Sequence, residues 1–293
     1  MRGTRLWMAL ALLLALATVF FAACGDDDDE SAGSGDATTA TEESGATGQD
    51  FQTAEEGVLT VGTDAPYPPF EIGSPGRSNF SGYDVEVIEA IADELGLEVK
   101  WVDTGFNTIF RDTANGQFDT AAAASDIDAR REKVVDFTDP YYQSATALVV
   151  TEDSDIQSIE DLSGKIVGVQ DGTSQQEYAE DETDAAEVRG FPEGPNAIAA
   201  LNTGQVDAVL TDLATGSVAV QETEGIQIVQ EIPTDVFFGF AVAPDNDGLR
   251  EAMNGALRTL KENGTINELY EKYFGTSAPQ EVLEGTNELL TDD

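Results

Sequence analysis

Short apolar segments alternate with amphipathic segments from Val58 onward, and this alternation predicts an α/β fold. The run Val58–Gly62 predicts a strand, and the alternating apolar residues of Leu97–Trp101 predict a second strand. Between them, the apolar residues of Val87–Leu95 recur at helical spacing, and Gly96 predicts the end of that helix.

The rest of the chain continues the same alternation. Further strands are predicted at Thr120–Ala124, Thr146–Thr151, Ile166–Val169, Asp207–Leu210, Ile226–Val229 and Phe238–Val242. Further helices are predicted at Ser174–Glu182, Asn196–Leu201, Asp212–Gln221 and Leu249–Leu260. Strands that alternate with helices in this way predict mainly parallel sheets covered by helices.

Polar loops follow several of the predicted strands, at Thr63–Phe70, Ser125-Asp126, Gln170–Ser174 and Thr211-Asp212. In sheets of this kind, ligands bind beyond the carboxyl ends of the strands. The loop Gln170–Ser174 also opens a helix, whose free N–H groups attract an anion. Each loop alone is equally explained by helix capping. Their convergence on one crevice predicts a binding site.

The charge balance of the chain excludes some partners and some chemistry. The 57 acidic and 14 basic side chains give a net charge of −43, which argues against nucleic acid because phosphates would be repelled. The chain has no histidine, so Ser-His-Asp and Cys-His nucleophiles and His-ligated zinc are excluded. Cys24 is the sole cysteine, which excludes an internal disulfide. We expect no metal and no cofactor.

The first 56 residues predict an address and a tether. Arg2 and Arg5 precede an apolar run, as in a secretion signal covering residues 1–23; an uncleaved membrane helix is the alternative. Cys24, which follows this run, resembles the acylated cysteine of a bacterial lipoprotein, although Phe21 departs from the usual aliphatic residue. Residues 24–56 are acidic and almost free of large apolar side chains, so they predict a disordered tether. We expect an extracytoplasmic protein, anchored to the outer face of the membrane by its N-terminal lipid or periplasmic.

Arg130 and Arg131 stand out because positive charge is scarce in this chain. The planar fork of a guanidinium matches a small carboxylate with two parallel hydrogen bonds. The alternative is that both arginines pair with nearby Asp and Glu side chains. These residues alone leave both interpretations open.

Motifs in consistent order between Val58 and Gly275 carry a resemblance to a known family. They are Gly62–Phe70, Gly82–Val85, Gly116–Asp119, Arg131–Thr138, Tyr141-Tyr142, Asp161–Lys165, Val167–Val169, Gly172-Thr173, Gly204–Val209 and Gly264–Gly275. As a set, they resemble family 3 of the extracellular solute-binding proteins, the amino-acid receptors of ABC importers.

The resemblance implies a two-lobed, periplasmic-binding-protein-like α/β fold that closes on its ligand, with two strands crossing the hinge. Lobe 1 would comprise residues 57–145 and 237–275, lobe 2 residues 146–236, and residues 276–293 would form an acidic C-terminal tail. The expected function is binding of a polar or cationic L-amino acid by a monomer that delivers it to the transmembrane subunits of an ABC permease. The alternative is an enzyme on the same scaffold, similar to dehydratases of cyclic amino-acid precursors.

Carried over by position, the resemblance assigns the poles of the ligand. Arg131 would hold the α-carboxylate, helped by the backbone N–H groups of Asp126 and Ser174. The ammonium group would meet Asp212, the carbonyl of Ala124 and the side chain of Asp126. The family commonly has Ser or Thr in place of Asp126 and Gly or Ser in place of Ala124.

The remaining assigned residues surround the side chain of the ligand. Tyr67 and Phe106 would sandwich it, and both are equally interpreted as core aromatics. Asp64 and Gln170 would set its polarity, and Thr173 completes the predicted set. With Asp126 and Asp212, the carboxylate of Asp64 favours a cationic or polar amino acid over an acidic one.

Overall fold

The structure is a computed structural model, and it describes residues 51–287. The predicted signal peptide, the lipidation of Cys24, most of the tether and the last residues of the tail lie outside the described residues. The strands are β1 (Val58–Thr63), β2 (Glu98–Asp103), β3 (Thr120–Ala121), β4 (Asp136–Phe137), β5 (Tyr142–Thr151), β6 (Ile166–Gln170), β7 (Glu187–Phe191), β8 (Ala208–Asp212), β9 (Ile226–Phe238) and β10 (Ala241–Val242). The helices are α1 (Tyr83–Leu95), α2 (Phe106–Ala114), α3 (Ser174–Glu182), α4 (Gly194–Asn202), α5 (Leu213–Glu222), α6 (Asp247–Glu262), α7 (Thr265–Phe274) and α8 (Gln280–Glu284), with short 3-10 turns at Arg131–Lys133 and Ile159–Leu162.

Two five-stranded sheets form the framework, one in each lobe. The first has the order β2-β1-β3-β10-β4, and the second has the order β7-β6-β8-β5-β9. The prediction of mainly parallel sheets is wrong in part. Pairs β1–β2, β1–β3, β6–β7 and β6–β8 are parallel, but the pairs made by β10 and β5 are antiparallel. Strand β5 leads the chain into lobe 2, and β10 is the first strand after β9 has returned the chain to lobe 1.

Strands β5 and β9 connect the two lobes, as the fold class requires. At their lobe 1 end, Tyr142 pairs with Phe238, and both rings belong to the large core of lobe 1. Farther along β5, Ala147 and Val149 belong to a core of lobe 2. The α/β fold with two lobes is thereby confirmed.

Several elements differ from the prediction for local reasons. Strand β3 ends after two residues, and beyond it Ala124 adopts a left-handed backbone conformation with φ of 44°. Strand β9 has 13 residues and runs to Phe238, beyond the predicted end at Val229, and it contains Pro233. The predicted strand Phe238–Val242 is shortened to β10. An edge strand tolerates proline because one side of it makes no ladder hydrogen bonds, and β9 is at the edge of its sheet. Strands β4 and β7 and helices α2, α7 and α8 have no counterpart among the predicted elements.

The folded part extends into both the predicted tether and the predicted C-terminal tail. Phe51 packs on the core of lobe 1, and the amide of Ala54 donates to Asp119 at 2.7 Å, so the predicted end of the tether at residue 56 is placed too late. At the other end, Ala278 and Val282 are buried in the same core. Among the helices between residues 51 and 287, none is long and apolar enough to cross a membrane.

Candidate functional site

A small, mostly enclosed cavity lies where the polar loops of the two lobes meet. It is lined by Asp64, Tyr67, Phe106, Ala123, Ala124, Asp126, Arg131, Gln170, Thr173, Gln175 and Asp212. Nine of the ten residues predicted for the ligand site are among these. The tenth, Ser174, lies one contact away, because its hydroxyl donates to the carboxylate of Asp126. The loops that follow β1, β3, β6 and β8 therefore converge, as predicted.

Arg131 lies at one end of the cavity and is only 4% exposed. Its Nη1 donates to the backbone oxygen of Asp126 at 2.9 Å, and its Nε lies 3.2 Å from a carboxylate oxygen of Asp128. The rings of Phe106 and Phe110 lie 5.2 and 4.7 Å from the guanidinium carbon. This packing fixes the guanidinium and desolvates it, which strengthens its attraction for an anion.

Arg130 does not line the cavity and, unlike Arg131, is exposed to solvent. Its guanidinium is about half exposed and pairs with Glu177 on α3 and, at 3.6 Å, with Asp128. The interpretation as an ion pair with neighbouring acids therefore fits Arg130. Because Glu177 belongs to lobe 2, this pair also joins the lobes at the rim of the cleft.

Asp212 also lines the cavity, at the end of β8. Its Oδ2 accepts a hydrogen bond from the Tyr67 hydroxyl at 2.6 Å, and its Oδ1 accepts from Ser144 at 2.8 Å and Gln175 at 3.1 Å. Burial, reinforced by the charge of Asp126, raises the pKa of Asp212 to about 7. A cation bound beside it would restore the ionised form, so Asp212 is suited to an ammonium group.

Asp126 brings a second carboxylate next to the first. It is 4% exposed, and its Oδ2 accepts from Ser174 and lies 3.7 Å from Nη1 of Arg131. Its Oδ1 has no hydrogen-bond partner within the described part of the chain. Burial raises the pKa of Asp126, and the charge of Arg131 partly opposes this. The unpartnered oxygen can accept a hydrogen bond from a ligand.

Asp64 and Gln170 meet in the lining of the same cavity. Nε2 of Gln170 donates to Oδ2 of Asp64 at 2.6 Å, joining lobe 2 to lobe 1. Burial raises the pKa of Asp64 to about 6, and the bond from Gln170 partly opposes this. The cavity thus contains three carboxylates and one guanidinium.

Tyr67 and Phe106, the two aromatic residues predicted to sandwich the ligand, also pack against other rings of the protein. Tyr67 stacks on Phe70 with ring centroids 6.2 Å apart, and its hydroxyl reaches Asp212 in the other lobe. Phe106 packs on Phe110 and faces Arg131. Both rings line the cavity, so the core and binding interpretations of these rings hold together.

Two residues of the lining, Ala123 and Gln175, are not among the predicted site residues. Gln175 is buried within the first turn of α3 and donates to Asp212, while Ala123 precedes the left-handed Ala124. Thr173, as the residue capping α3, accepts from the amide of Gln176 at 3.2 Å. Gln175 carried no signal because it follows the cap instead of ending a strand. Between residues 51 and 287, no group of three or more Asp, Glu, His or Cys side chains is arranged to hold a metal ion.

Comparison with known proteins agrees with this geometry. Residues 59–276 match the bacterial extracellular solute-binding proteins, family 3. The chain belongs to that family. This family 3 solute-binding protein is therefore extracytoplasmic, as its relatives are.

Three relatives show what this family 3 protein is similar to. It is 28% identical to ABC transporter arginine-binding protein 1 of Escherichia coli K12, over 74% of this chain and 90% of that protein. It is 30% identical to the arginine-binding periplasmic protein of Mannheimia haemolytica, over 71% and 88% of the two chains. It is also similar to the structure of an ancestral arginine-binding protein bound to arginine, with 36% identity, a TM-score of 0.71 and coverage of 75% and 99%.

Proposed function

We propose that this protein captures a cationic L-amino acid, with L-arginine as the expected ligand, and delivers it to an ABC permease. The observation that carries the proposal is the excess of carboxylates in the cavity, because Asp64, Asp126 and Asp212 line it together with a single guanidinium, that of Arg131. Buried charges need partners, so the ligand has to bring more positive than negative charge. An amino acid with a cationic side chain does so. Arginine-binding relatives support the same choice.

The geometry supports one orientation of the ligand. Its α-carboxylate lies against Arg131 near the first turn of α3, where free N–H groups favour an anion. Its ammonium lies between Asp126 and Asp212, and its side-chain cation meets Asp64. Closure of the lobes removes water and strengthens all these contacts.

Contacts between the lobes support a capture mechanism by closure. Tyr67, Asp64 and Asp126 of lobe 1 each bond to a residue of lobe 2, namely Asp212, Gln170 and Ser174. Each of these hydrogen bonds involves a residue assigned to the ligand. The ligand therefore contacts the same polar side chains that join the two lobes in the closed cleft.

Asp64→Asn tests the assignment of the side-chain pole. The variant is expected to lose at least about tenfold in affinity for L-arginine, the loss expected when a charged partner is removed, and to change its affinity for L-glutamine by less than about threefold. Titration calorimetry with both ligands measures this. Equal losses for the two ligands would place the side chain elsewhere.

The proposal also includes membrane anchoring and the absence of catalytic activity. Acylation at Cys24 would tether the protein to the outer face of the membrane, where it acts as a monomer beside its permease. The enzyme alternative predicts consumption of a cyclic acid such as prephenate. We expect the purified protein to leave prephenate unchanged, as followed by its absorbance.

A further inference from the structure

Two acidic side chains that the ligand site does not use lie against each other behind it. Glu71 follows the loop that carries Tyr67, and Asp84 lies in the first turn of α1. Both are 0% exposed. Both carboxyl oxygens of Glu71 and Oδ1 of Asp84 are buried without a donor among residues 51–287, and the two carboxyl groups lie within hydrogen-bonding reach of each other. Because two carboxylates are both acceptors, this contact requires a proton on one of them.

The donors around the pair indicate which group holds that proton. Oδ2 of Asp84 accepts from the amide of Ala124 at 2.9 Å and from the hydroxyl of Tyr141 at 2.8 Å. Its place at a helix N-terminus further favours a negative charge. Neither carboxyl oxygen of Glu71 has such a donor within residues 51–287. Asp84 is therefore the better anion, and the proton belongs to Glu71.

The charged and titratable groups that act on the pair are acids and tyrosines. Asp64 and Asp84 act on Glu71, and the pair in turn acts on Tyr83, Tyr141 and Tyr142. Burial and then the charge of Asp84 raise the pKa of Glu71 well above its ordinary value. Burial raises the pKa of Asp84 to about 6, held down by the amide of Ala124. The pKa of Glu71 is thus the more strongly raised of the two, which agrees with the hydrogen-bond donors that only Asp84 has.

The pair connects two walls of the cavity. The backbone of Glu71 exchanges hydrogen bonds of 2.8 and 3.0 Å with that of Tyr67, whose hydroxyl reaches Asp212. Asp84 holds the amide of Ala124 while that residue has a left-handed conformation. Gly82 permits the close approach, because a Cβ there would lie 2.0 Å from the oxygen of Phe70.

We propose that Glu71 is a neutral carboxylic acid that donates a hydrogen bond to the Asp84 carboxylate, and that this pair, which shares one proton, positions the Tyr67 loop and the Ala124 turn to receive the ligand. Glu71 is a positioning residue, since it does not line the cavity. Its part in ligand binding rests on the proposed function, whereas the shared proton does not.

The proton makes the fold sensitive to alkali. A carboxyl group whose pKa is raised on folding stabilises the fold fully below its ordinary pKa of 4.5, and that stability is lost as the pH rises through the folded value. Glu71→Gln keeps the shape and an N–H donor for Asp84 but has no proton to lose. The variant is therefore expected to be less sensitive to high pH than the wild type.

Infrared spectroscopy tests the proton directly. At about pH 8, above the pKa of Asp212 at about 7, the wild type is expected to show the carbonyl stretch of a protonated carboxyl group, shifted in D2O. Glu71→Gln should lose this band, and Glu89→Gln, which removes an exposed acid of α1, should keep it. A wild type without the band, or a band that persists in Glu71→Gln, would overturn the proposal.

L-arginine affinity and thermal unfolding between about pH 5 and 9 test the positioning role. Glu71→Leu, which cannot donate, is expected to weaken L-arginine binding by about tenfold or more, whereas Glu71→Gln stays within about threefold of the wild type and unfolds with a flatter pH profile. Equal losses in both variants, or parallel unfolding profiles in Glu71→Gln and wild type, would refute it. If L-arginine fails to bind the wild type, the proposed function fails, and the infrared band and the unfolding profiles still decide the proposal of the shared proton.

Discussion

Acidification is expected to weaken L-arginine binding, because the carboxylates that hold the cations of the ligand become protonated in the free protein. In the structure, burial raises the pKa of Asp212 to about 7 and that of Asp64 to about 6. A bound ammonium or guanidinium lowers both pKa values again, since an opposite charge favours the ionised form. Binding below these pH values must therefore expel protons.

The size of the effect follows from the two pKa values. At about pH 5, Asp212 lies about two pH units below its pKa of about 7, so expelling its proton costs about 100-fold in affinity, or about 2.7 kcal/mol. Asp64, with its pKa of about 6, adds about tenfold. Together they set an upper limit of about 1,000-fold between pH 8 and pH 5. Above about pH 8 the affinity should no longer depend on these groups.

Titration calorimetry in buffers of different ionisation enthalpy measures both the affinity and the protons released. Asp64→Asn is the control: its affinity for L-arginine is lower throughout, but its loss between pH 8 and pH 5 should be about tenfold smaller than that of the wild type. A constant affinity from pH 8 to pH 5, or proton uptake on binding, would contradict the role of these carboxylates.

Three further predictions test individual residues. Arg131→Ala is expected to lose at least about 100-fold in L-arginine affinity, whereas Arg130→Ala should lose less than about fivefold, because its pair with Glu177 is exposed; equal losses would refute the distinction. Asp126→Ser should bind L-arginine more weakly and L-glutamate less unfavourably, and calorimetry measures both; an unchanged ratio of the two affinities would count against ligand contact at Asp126. Cys24→Ser should abolish labelling by a fatty-acid analogue in a bacterial host and release the protein from the membrane fraction; retention in the membrane would favour the uncleaved helix.

Much of the fold was predictable where a single periodicity decides the element. The apolar stripe of Leu249, Met253 and Leu257 predicts α6, and its residues are buried as one face. Strand β7 could not be predicted, because its two large apolar residues, Val188 and Phe191, do not alternate and none of its residues is fully buried. The antiparallel pairing of β5 with β8, and of β10 with β3, depends on the path of the chain between the lobes, and no local sequence pattern encodes that path.

The site was predictable to the extent that it is built from strand ends. Asp64, Asp126 and Asp212 each follow or end a strand and meet in the cavity. Gln175 could not be predicted, because its hydrogen bond to Asp212 depends on the direction in which a side chain leaves helix α3. The contact of Glu71 with Asp84 could not be predicted either, because only the packing of α1 on the preceding loop brings the two carboxyl groups together.

The central claim is that the cavity selects a cation on the ligand side chain. Titration of the wild-type protein at about pH 8 with L-arginine and L-citrulline tests it most directly, because the two ligands have nearly the same shape and differ in side-chain charge. We expect L-arginine to bind at least about 100-fold more tightly, a difference of about 2.7 kcal/mol that corresponds to the charge met by Asp64. Equal affinities, or tighter binding of L-citrulline, would contradict the account.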